Sequence, residues 1–192
     1  MKKTTYFPLF FNLKDRQVLV IGGGAVAGRR IGVLLDFEAQ VTAVAPDFDE
    51  KVLALAETEK SAEGVDQLSD MTASDHGTQE ASASADKTAV ARLTLVRAAA
   101  DEELIRSLIS EKTFMLLTAV NDTAVNDLAE RIAREKGLLF NRSDRPENCD
   151  FYFPAVARKE EMVIGISSAG SSHGRVRDLA AKIRESLAGW TL

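Results

Sequence analysis

Residues 18–28 read Val-Leu-Val-Ile-Gly-Gly-Gly-Ala-Val-Ala-Gly. Val18 to Ile21 form an apolar run with no polar side chain, as a strand needs when both its faces are buried in a parallel sheet. Gly22-x-Gly24-x-x-Ala27 follows at once, and an amphipathic segment from Val26 to about Phe37 follows that. Strand, glycine turn and helix in this order are the setting a dinucleotide fingerprint requires. Gly22 permits the tight turn, Gly24 lets the backbone come close to a pyrophosphate, and Ala27 still allows close helix–strand packing. The helix then presents unpaired N–H groups and the positive end of its dipole to the phosphates. Gly22, Gly23, Gly24, Ala25 and Val26 are the expected cofactor-binding residues.

Strand and helix go on alternating. Val41 to Ala45 is a second strand, closed by Pro46, and Asp47 or Asp49 can cap a helix running to about Thr58. Leu93 to Val96 is a third strand, followed by a short helix that Asp101 can cap. Phe114 to Ala119 is a fourth, and a helix from about Thr123 to Lys136 stops at Gly137. Leu138 to Asn141 is a fifth. The pattern predicts an α/β fold, a Rossmann-like doubly wound parallel sheet over residues 1–149. From 150 to 192 the pattern changes. Phe151–Val156 and Met162–Ser167 read as a hairpin turned at Arg158-Lys159-Glu160-Glu161, and a basic helix runs from about Gly174 to Ala188. A lone hairpin and helix cannot make a core, so this region is expected to pair with a second copy as a homodimer.

Charge singles out one stretch. Between Glu57 and Asp86 there are eight acidic residues and one lysine, although the whole chain of 192 residues carries only −5. The stretch is rich in Ser, Ala and Thr, and too poor in large apolar residues to repay its ordering entropy. Residues 61–89 are expected to be an inserted mobile loop, the other reading being an acidic arm for a basic partner. The body is then mildly basic, which suits an anionic ligand. No run is long enough for a membrane span. One cysteine, Cys149, excludes an internal disulfide. A cytoplasmic protein with no membrane or nucleic-acid partner and no resident metal is expected.

The usual reader of an NAD ribose is an acid about 20 residues past the glycines. Here that point falls at Val44-Ala45-Pro46, and the first acid is Asp47. Either Asp47 reads the ribose from slightly further on, with Pro46 beside it, or backbone groups hold the ribose and Asp47 caps the helix. No arginine follows the second strand, so a 2′-phosphate has no evident partner and NAD is favoured. Thr118 and Asn121, at the end of the fourth strand, can line the nicotinamide side, and Asn121 or Asp122 can cap the next helix. Asp144 leaves the carboxyl end of the fifth strand, where open α/β sheets place their ligands. It can act as a general base or simply form the turn before Pro146.

From Tyr6-Phe7-Pro8 to about Arg184 the chain resembles the precorrin-2 dehydrogenases of siroheme synthesis, with the acidic insert as an interruption. The resemblance rests on Gly22 to Ala27 with Arg29-Arg30, on Val41 to Pro46, and on Thr118 to Asp122 with Val125-Asn126. It continues through Asn141 with Asp144, Pro146 to Phe151, Phe153-Pro154-Ala155 and Ile166 to Ser172. Such enzymes pass a hydride from precorrin-2, a tetrapyrrole with eight carboxylates, to NAD+, and some also insert ferrous iron.

The resemblance implies that Asp144 is catalytic. It also implies that Asn141, Arg142, Ser168 and Ser172 meet the substrate, joined by Arg145, Arg175 and Arg177, because guanidinium suits carboxylates. Three features depart from the family pattern. His173-Gly174 stands where a proline is usual, the acidic insert is unusual, and many members carry a further helical segment beyond the position of Leu192. Dehydrogenation is the activity all three leave in place. The alternatives are a silent carrier that passes its tetrapyrrole to a partner chelatase, and an NAD-sensing regulatory module.

Overall fold

The structure, a computed structural model, describes residues 7–69 and 92–190. Five strands, β1 (Gln17–Ile21), β2 (Gln40–Ala45), β3 (Leu93–Arg97), β4 (Thr113–Thr118) and β5 (Leu139–Arg142), form one parallel sheet in the order β3-β2-β1-β4-β5. The apolar run seen in the sequence sits at the centre of this sheet. Successive strand side chains point to opposite faces. Accordingly Val18 and Val20 enter one core with Ile31, Leu34 and Val52, whereas Leu19 and Ile21 enter another with Ile105, Ile132 and Phe140. Helices α1 (Ala25–Asp36) and α2 (Glu50–Ser69) cover the first face, and α3 (Glu102–Leu108) and α4 (Thr123–Lys136) cover the second. Each β1 side chain from Val18 to Ile21 is almost fully buried, worth about 1.5–3 kcal/mol apiece. The order in which strands are added reverses between β1 and β4, which opens a crevice at the carboxyl ends of those two strands.

Local signals fix most boundaries. Asp101 caps α3 by accepting the Leu104 N–H at 2.8 Å. Asp122, and not Asn121, caps α4 by accepting from Ala124 and Val125. Gly137 ends α4 in the left-handed conformation at φ +67°. Asp49 caps α2, its Oδ1 accepting the Val52 N–H at 3.1 Å. This helix runs to Ser69, past the expected end near Thr58, so the start of the expected loop at 61–89 is helical. Residues 70–89 of that loop lie outside the described residues.

The C-terminal region holds a second, two-stranded antiparallel sheet of β6 (Ala155–Lys159) and β7 (Met162–Ile166), followed by α5 (His173–Ala188). The hairpin is shifted from its expected position. Lys159 pairs with Met162, so the turn is Glu160-Glu161, with Glu160 at φ +50°. Phe151 to Pro154 stay out of the strand because Phe151 and Phe153 pack instead against the core of the parallel sheet. Arg158 ties the hairpin to the end of α1, donating to the Asp36 carbonyl at 2.8 Å. A cation is favoured at a helix C-terminus. No helix among the described residues is long and apolar enough to cross a membrane.

Candidate functional site

The turn after β1 is shaped by what its glycines exclude. Gly22 has φ +134°, and a Cβ on it would lie 2.6 Å from the Ala119 carbonyl oxygen. A Cβ on Gly23 would lie 2.0 Å from the Asp47 carbonyl oxygen and 2.8 Å from Ala45 Cβ. Gly23 therefore lets the β2–α2 loop close over the turn, which its Asp49 N–H to Gly23 carbonyl bond of 2.9 Å completes. Gly24 differs, because a Cβ there would meet nothing within 4 Å among the described residues. It is the N-cap of α1 in extended conformation, with no side-chain cap and no acid in the first turn of the helix. Ala25 and Val26 are exposed beside it. The first-turn N–H groups thus face an open, glycine-floored space, the form an anion at a helix N-terminus requires. These residues fit the pyrophosphate of a dinucleotide.

Beyond the end of β2, Pro46 and Asp47 are exposed. The capping alternative for Asp47 falls away, since Asp49 caps that helix. The expectation that a 2′-phosphate has no arginine nearby is corrected. Arg97, at the end of β3, pairs with Ala45 in the sheet register and donates through Nη1 to Asp47 Oδ1 at 2.9 Å. Sequence distance concealed this neighbour, because β3 comes 50 residues later but lies next to β2.

Across the crevice, Ile21, Thr118 and Arg142 form one register row over β1, β4 and β5. Two strand spacings put the loop after β5 about 10 Å from the glycine turn. Thr118 is at the expected place, yet its side chain is buried and Oγ1 lacks a hydrogen-bond partner among the described residues. Its carbonyl accepts from Arg30 Nη1 at 3.1 Å and from the Ser143 N–H at 3.2 Å. The exposed rim here is Asn121, with Ala119 and Val120 half-buried beside it. Arg30, on α1, lies 5.5 Å from the Phe153 ring centroid, and burial lowers its pKa to about 10.

The loop after β5 is organised by a buried arginine. Arg142 shares a strand face with Phe140 and so points toward α4. Its guanidinium is 0% exposed. It binds Asp144 in a fork, Nε to Oδ1 at 2.7 Å and Nη2 to Oδ2 at 2.8 Å. Nη1 also donates to Asp127 at 2.7 Å and Glu130 at 2.8 Å. The expectation that Arg142 meets substrate carboxylates is therefore corrected: its donors are spent on three carboxylates of this chain. Asp144 keeps 29% of its side chain exposed. Hydrogen bonds from Arg142, outweighing burial, lower its pKa from 3.8 to about 2.

Asp127 and Glu130 carried a readable signal that sequence reasoning missed. A charged residue at an inward strand position demands partners, and these two acids stand three apart on the helix that follows β4.

Asn141 points to the opposite face and is buried, its Nδ2 donating to the Phe151 carbonyl at 2.7 Å. As it stands, its side chain fastens the 151–154 segment and does not line an open surface. Cys149 is buried, its Sγ accepting the Arg142 N–H at 3.2 Å, and burial raises its pKa. Ser168 and Ser172 lie in the turn between β7 and α5. Ser168 Oγ accepts the Ser172 N–H at 2.9 Å, and Ser172 Oγ accepts the Arg175 N–H at 3.4 Å as the helix cap. This turn packs on the Asp144 loop: a Cβ on Gly170 would lie 3.4 Å from Pro146 and 3.5 Å from Tyr152. The Ser168–Ser172 turn thus lies against Pro146 and Tyr152, next to the loop that carries Asp144. Arg145, Arg175 and Arg177 are exposed.

A siroheme synthase of Methylococcus capsulatus is 29% identical over 178 residues, covering 93% of this chain and 30% of the relative. A siroheme synthase of Neisseria meningitidis serogroup C is 30% identical over 178 residues, covering 93% and 29%. The chain thus spans about 30% of the length of the curated relatives it matches. Among solved structures, SirC, precorrin-2 dehydrogenase, has the same fold with a TM-score of 0.61, at 22% identity over 94% of this chain and 70% of that one. The family model described as "Putative NAD(P)-binding" matches residues 9–155, and with the glycine turn, the strand order and the open helix N-terminus in agreement, the chain belongs to that NAD(P)-binding family.

Proposed function

We propose that this chain oxidises precorrin-2 to sirohydrochlorin with NAD+ as hydride acceptor. The observation that carries the reading is the placement of Asp144, held ionised by Arg142, across the β1/β4 crevice from the glycine turn. The relatives named siroheme synthase support it. Gly22 to Val26 hold the pyrophosphate, Asp47 reads the ribose, and the rim at Ala119 to Asn121 flanks the nicotinamide. When bound, NAD+ supplies the hydride acceptor.

Hydride loss leaves a cation on the tetrapyrrole. Asp144, with a pKa of about 2, is an anion throughout the physiological range and offsets that charge at close quarters. Its low proton affinity favours this electrostatic role over lasting proton uptake, so the ring N–H proton that must also leave passes to water, with Asp144 accepting the hydrogen bond from that N–H on the way. Arg142 positions the carboxylate without touching substrate. Arg145, Arg175 and Arg177 are exposed and suit substrate carboxylates. Ser168 and Ser172 keep hydroxyl hydrogens to donate.

The hairpin and α5 present Met162, Ile164 and Leu179 to solvent, and this C-terminal region pairs two copies in a homodimer. Sedimentation at micromolar concentration as a strict monomer would refute the pairing. The deciding test of function is anaerobic incubation of precorrin-2 with NAD+, followed by its absorption spectrum, for the wild type and Asp144→Ala. Sirohydrochlorin formation that the substitution abolishes supports the dehydrogenase. A folded protein that binds NAD+ and tetrapyrrole without turnover supports the carrier that delivers to a partner chelatase. Addition of ferrous ion to the sirohydrochlorin tests metal insertion separately.

A further inference from the structure

Two opposite charges stand where the adenosine half of a dinucleotide on the glycine turn would lie. Asp47 follows β2 and Arg97 ends β3, with their side chains 86% and 55% exposed. Arg97 is steadied from below by Phe48, whose ring centroid lies 5.7 Å from the guanidinium carbon and whose side chain is buried. Asp47 accepts two hydrogen bonds, from the Phe48 N–H and from Arg97 Nη1, both at 2.9 Å and both on Oδ1. Oδ2 has no hydrogen-bond partner among the described residues. Asp47 also has no helix to cap, because Asp49 caps α2. A carboxylate after the second strand accepts a ribose 2′-hydroxyl, whereas an arginine there receives a 2′-phosphate. This chain holds both groups in contact.

We propose that Asp47 and Arg97 form a two-part reader of the ribose 2′ position. Asp47 Oδ2 accepts the 2′-hydroxyl of NAD, and Arg97 receives a 2′-phosphate when the dinucleotide carries one. The inference rests on the dinucleotide reading of the glycine turn and goes beyond it by assigning the specificity. Arg97 offsets the charge of Asp47, so the repulsion facing a 2′-phosphate is weaker than an unpaired carboxylate would exert. The chain therefore prefers NAD but does not exclude NADP.

Equilibrium binding of NAD+, NADP+, ADP and adenosine 2′,5′-bisphosphate to the full chain tests this, with Asp47→Asn, Arg97→Gln and the double variant. Both side chains are exposed, so melting temperature should be nearly unchanged. Arg97→Gln should weaken NADP+ and the bisphosphate about tenfold, with NAD+ and ADP changed by less than about threefold. Asp47→Asn should shift the NADP+ to NAD+ affinity ratio about tenfold toward NADP+, an effect lost in the double variant and reduced by salt. If Arg97→Gln alters all four ligands alike, or none, the reader is overturned while the glycine-turn site stands. If no probe binds the folded wild type, the dinucleotide reading falls as well.

Discussion

The turn after β1 and the loop after β5 face each other across one crevice but are made of different materials. The first is backbone: Gly22 turns at φ +134°, Gly23 admits the Asp47 carbonyl, and Gly24 leaves open the space a Cβ would take, with nothing within 4 Å of it among the described residues. The second is side chain, with Arg142 gripping Asp144 from its own loop and Asp127 and Glu130 from α4. A backbone site is specified by a few consecutive residues, because steric exclusion acts locally. A charge network is specified by the fold, because its members meet only after the sheet and helix have assembled. The first should be sensitive to a single added methyl group at one position and indifferent at the next. The second should be sensitive to the loss of its one cation.

The largest effect is expected at that cation. Arg142→Met removes the guanidinium but leaves three carboxylates pointed at one another, and should cost about 3–5 kcal/mol in urea unfolding. It should also return the Asp144 pKa toward 3.8 or above it. Arg142→Lys keeps the charge without the fork and should recover only part of the loss. If Arg142→Met were neutral, the loop after β5 would be held by its 3₁₀ turn, Pro146–Asn148, and the contrast with the glycine turn would vanish.

Gly23→Ala comes next. Its new Cβ would sit 2.0 Å from a backbone carbonyl, and backbone cannot step aside as a flexible side chain can. A loss of about 1–3 kcal/mol is expected, with weakened binding of NAD+ because the β2–α2 loop carries Asp47. Unchanged melting and unchanged NAD+ affinity would together show that the loop is not seated on Gly23.

The same difference in materials explains what could be read from the residues alone. The five parallel strands were legible because buried-on-both-faces runs such as Val18–Ile21 and Met115–Leu117 have few other readings. The α4 bounds were legible from Asp122 and Gly137. The hairpin was displaced because Phe151 and Phe153 look like strand residues; whether they pair or pack depends on the domain beneath them, and here they pack. Arg142 was misassigned for the reason Arg97 was overlooked. Each meets partners supplied by other elements, and a linear scan for a charge near its motif does not see across strands. Asp144 was singled out only through resemblance, since its local sequence also describes an ordinary turn.

Acid should expose the charge network while sparing the backbone turn. The folded-state pKa of Asp144 is about 2 against an ordinary 3.8. Its contribution is therefore complete above the ordinary value and is lost as pH falls through the folded one. About 2 kcal/mol should disappear between roughly pH 5 and pH 2. Urea unfolding of the wild type at about pH 6 and about pH 3, beside Asp144→Asn, isolates it, because the exposed Glu102 titration is common to both proteins. Parallel pH profiles for the two would mean that Arg142 does not hold Asp144 as described.

The smallest expected stability effect is at Gly24, and it sharpens the contrast most. Gly24→Ala adds a methyl group in open space at an extended N-cap residue, so unfolding should change by no more than about 0.5 kcal/mol. Binding should not be so tolerant, because that open space is where a pyrophosphate would approach the first-turn N–H groups. The NAD+ dissociation constant is expected to rise at least about tenfold, through lost contact and not through lost structure. Gly23→Ala and Gly24→Ala, adjacent and chemically the same change, would then divide cleanly, the first acting on the fold and the second on the ligand. Equal losses of stability at both would make the run a structural turn. Full NAD+ affinity in Gly24→Ala would move the pyrophosphate away from this helix.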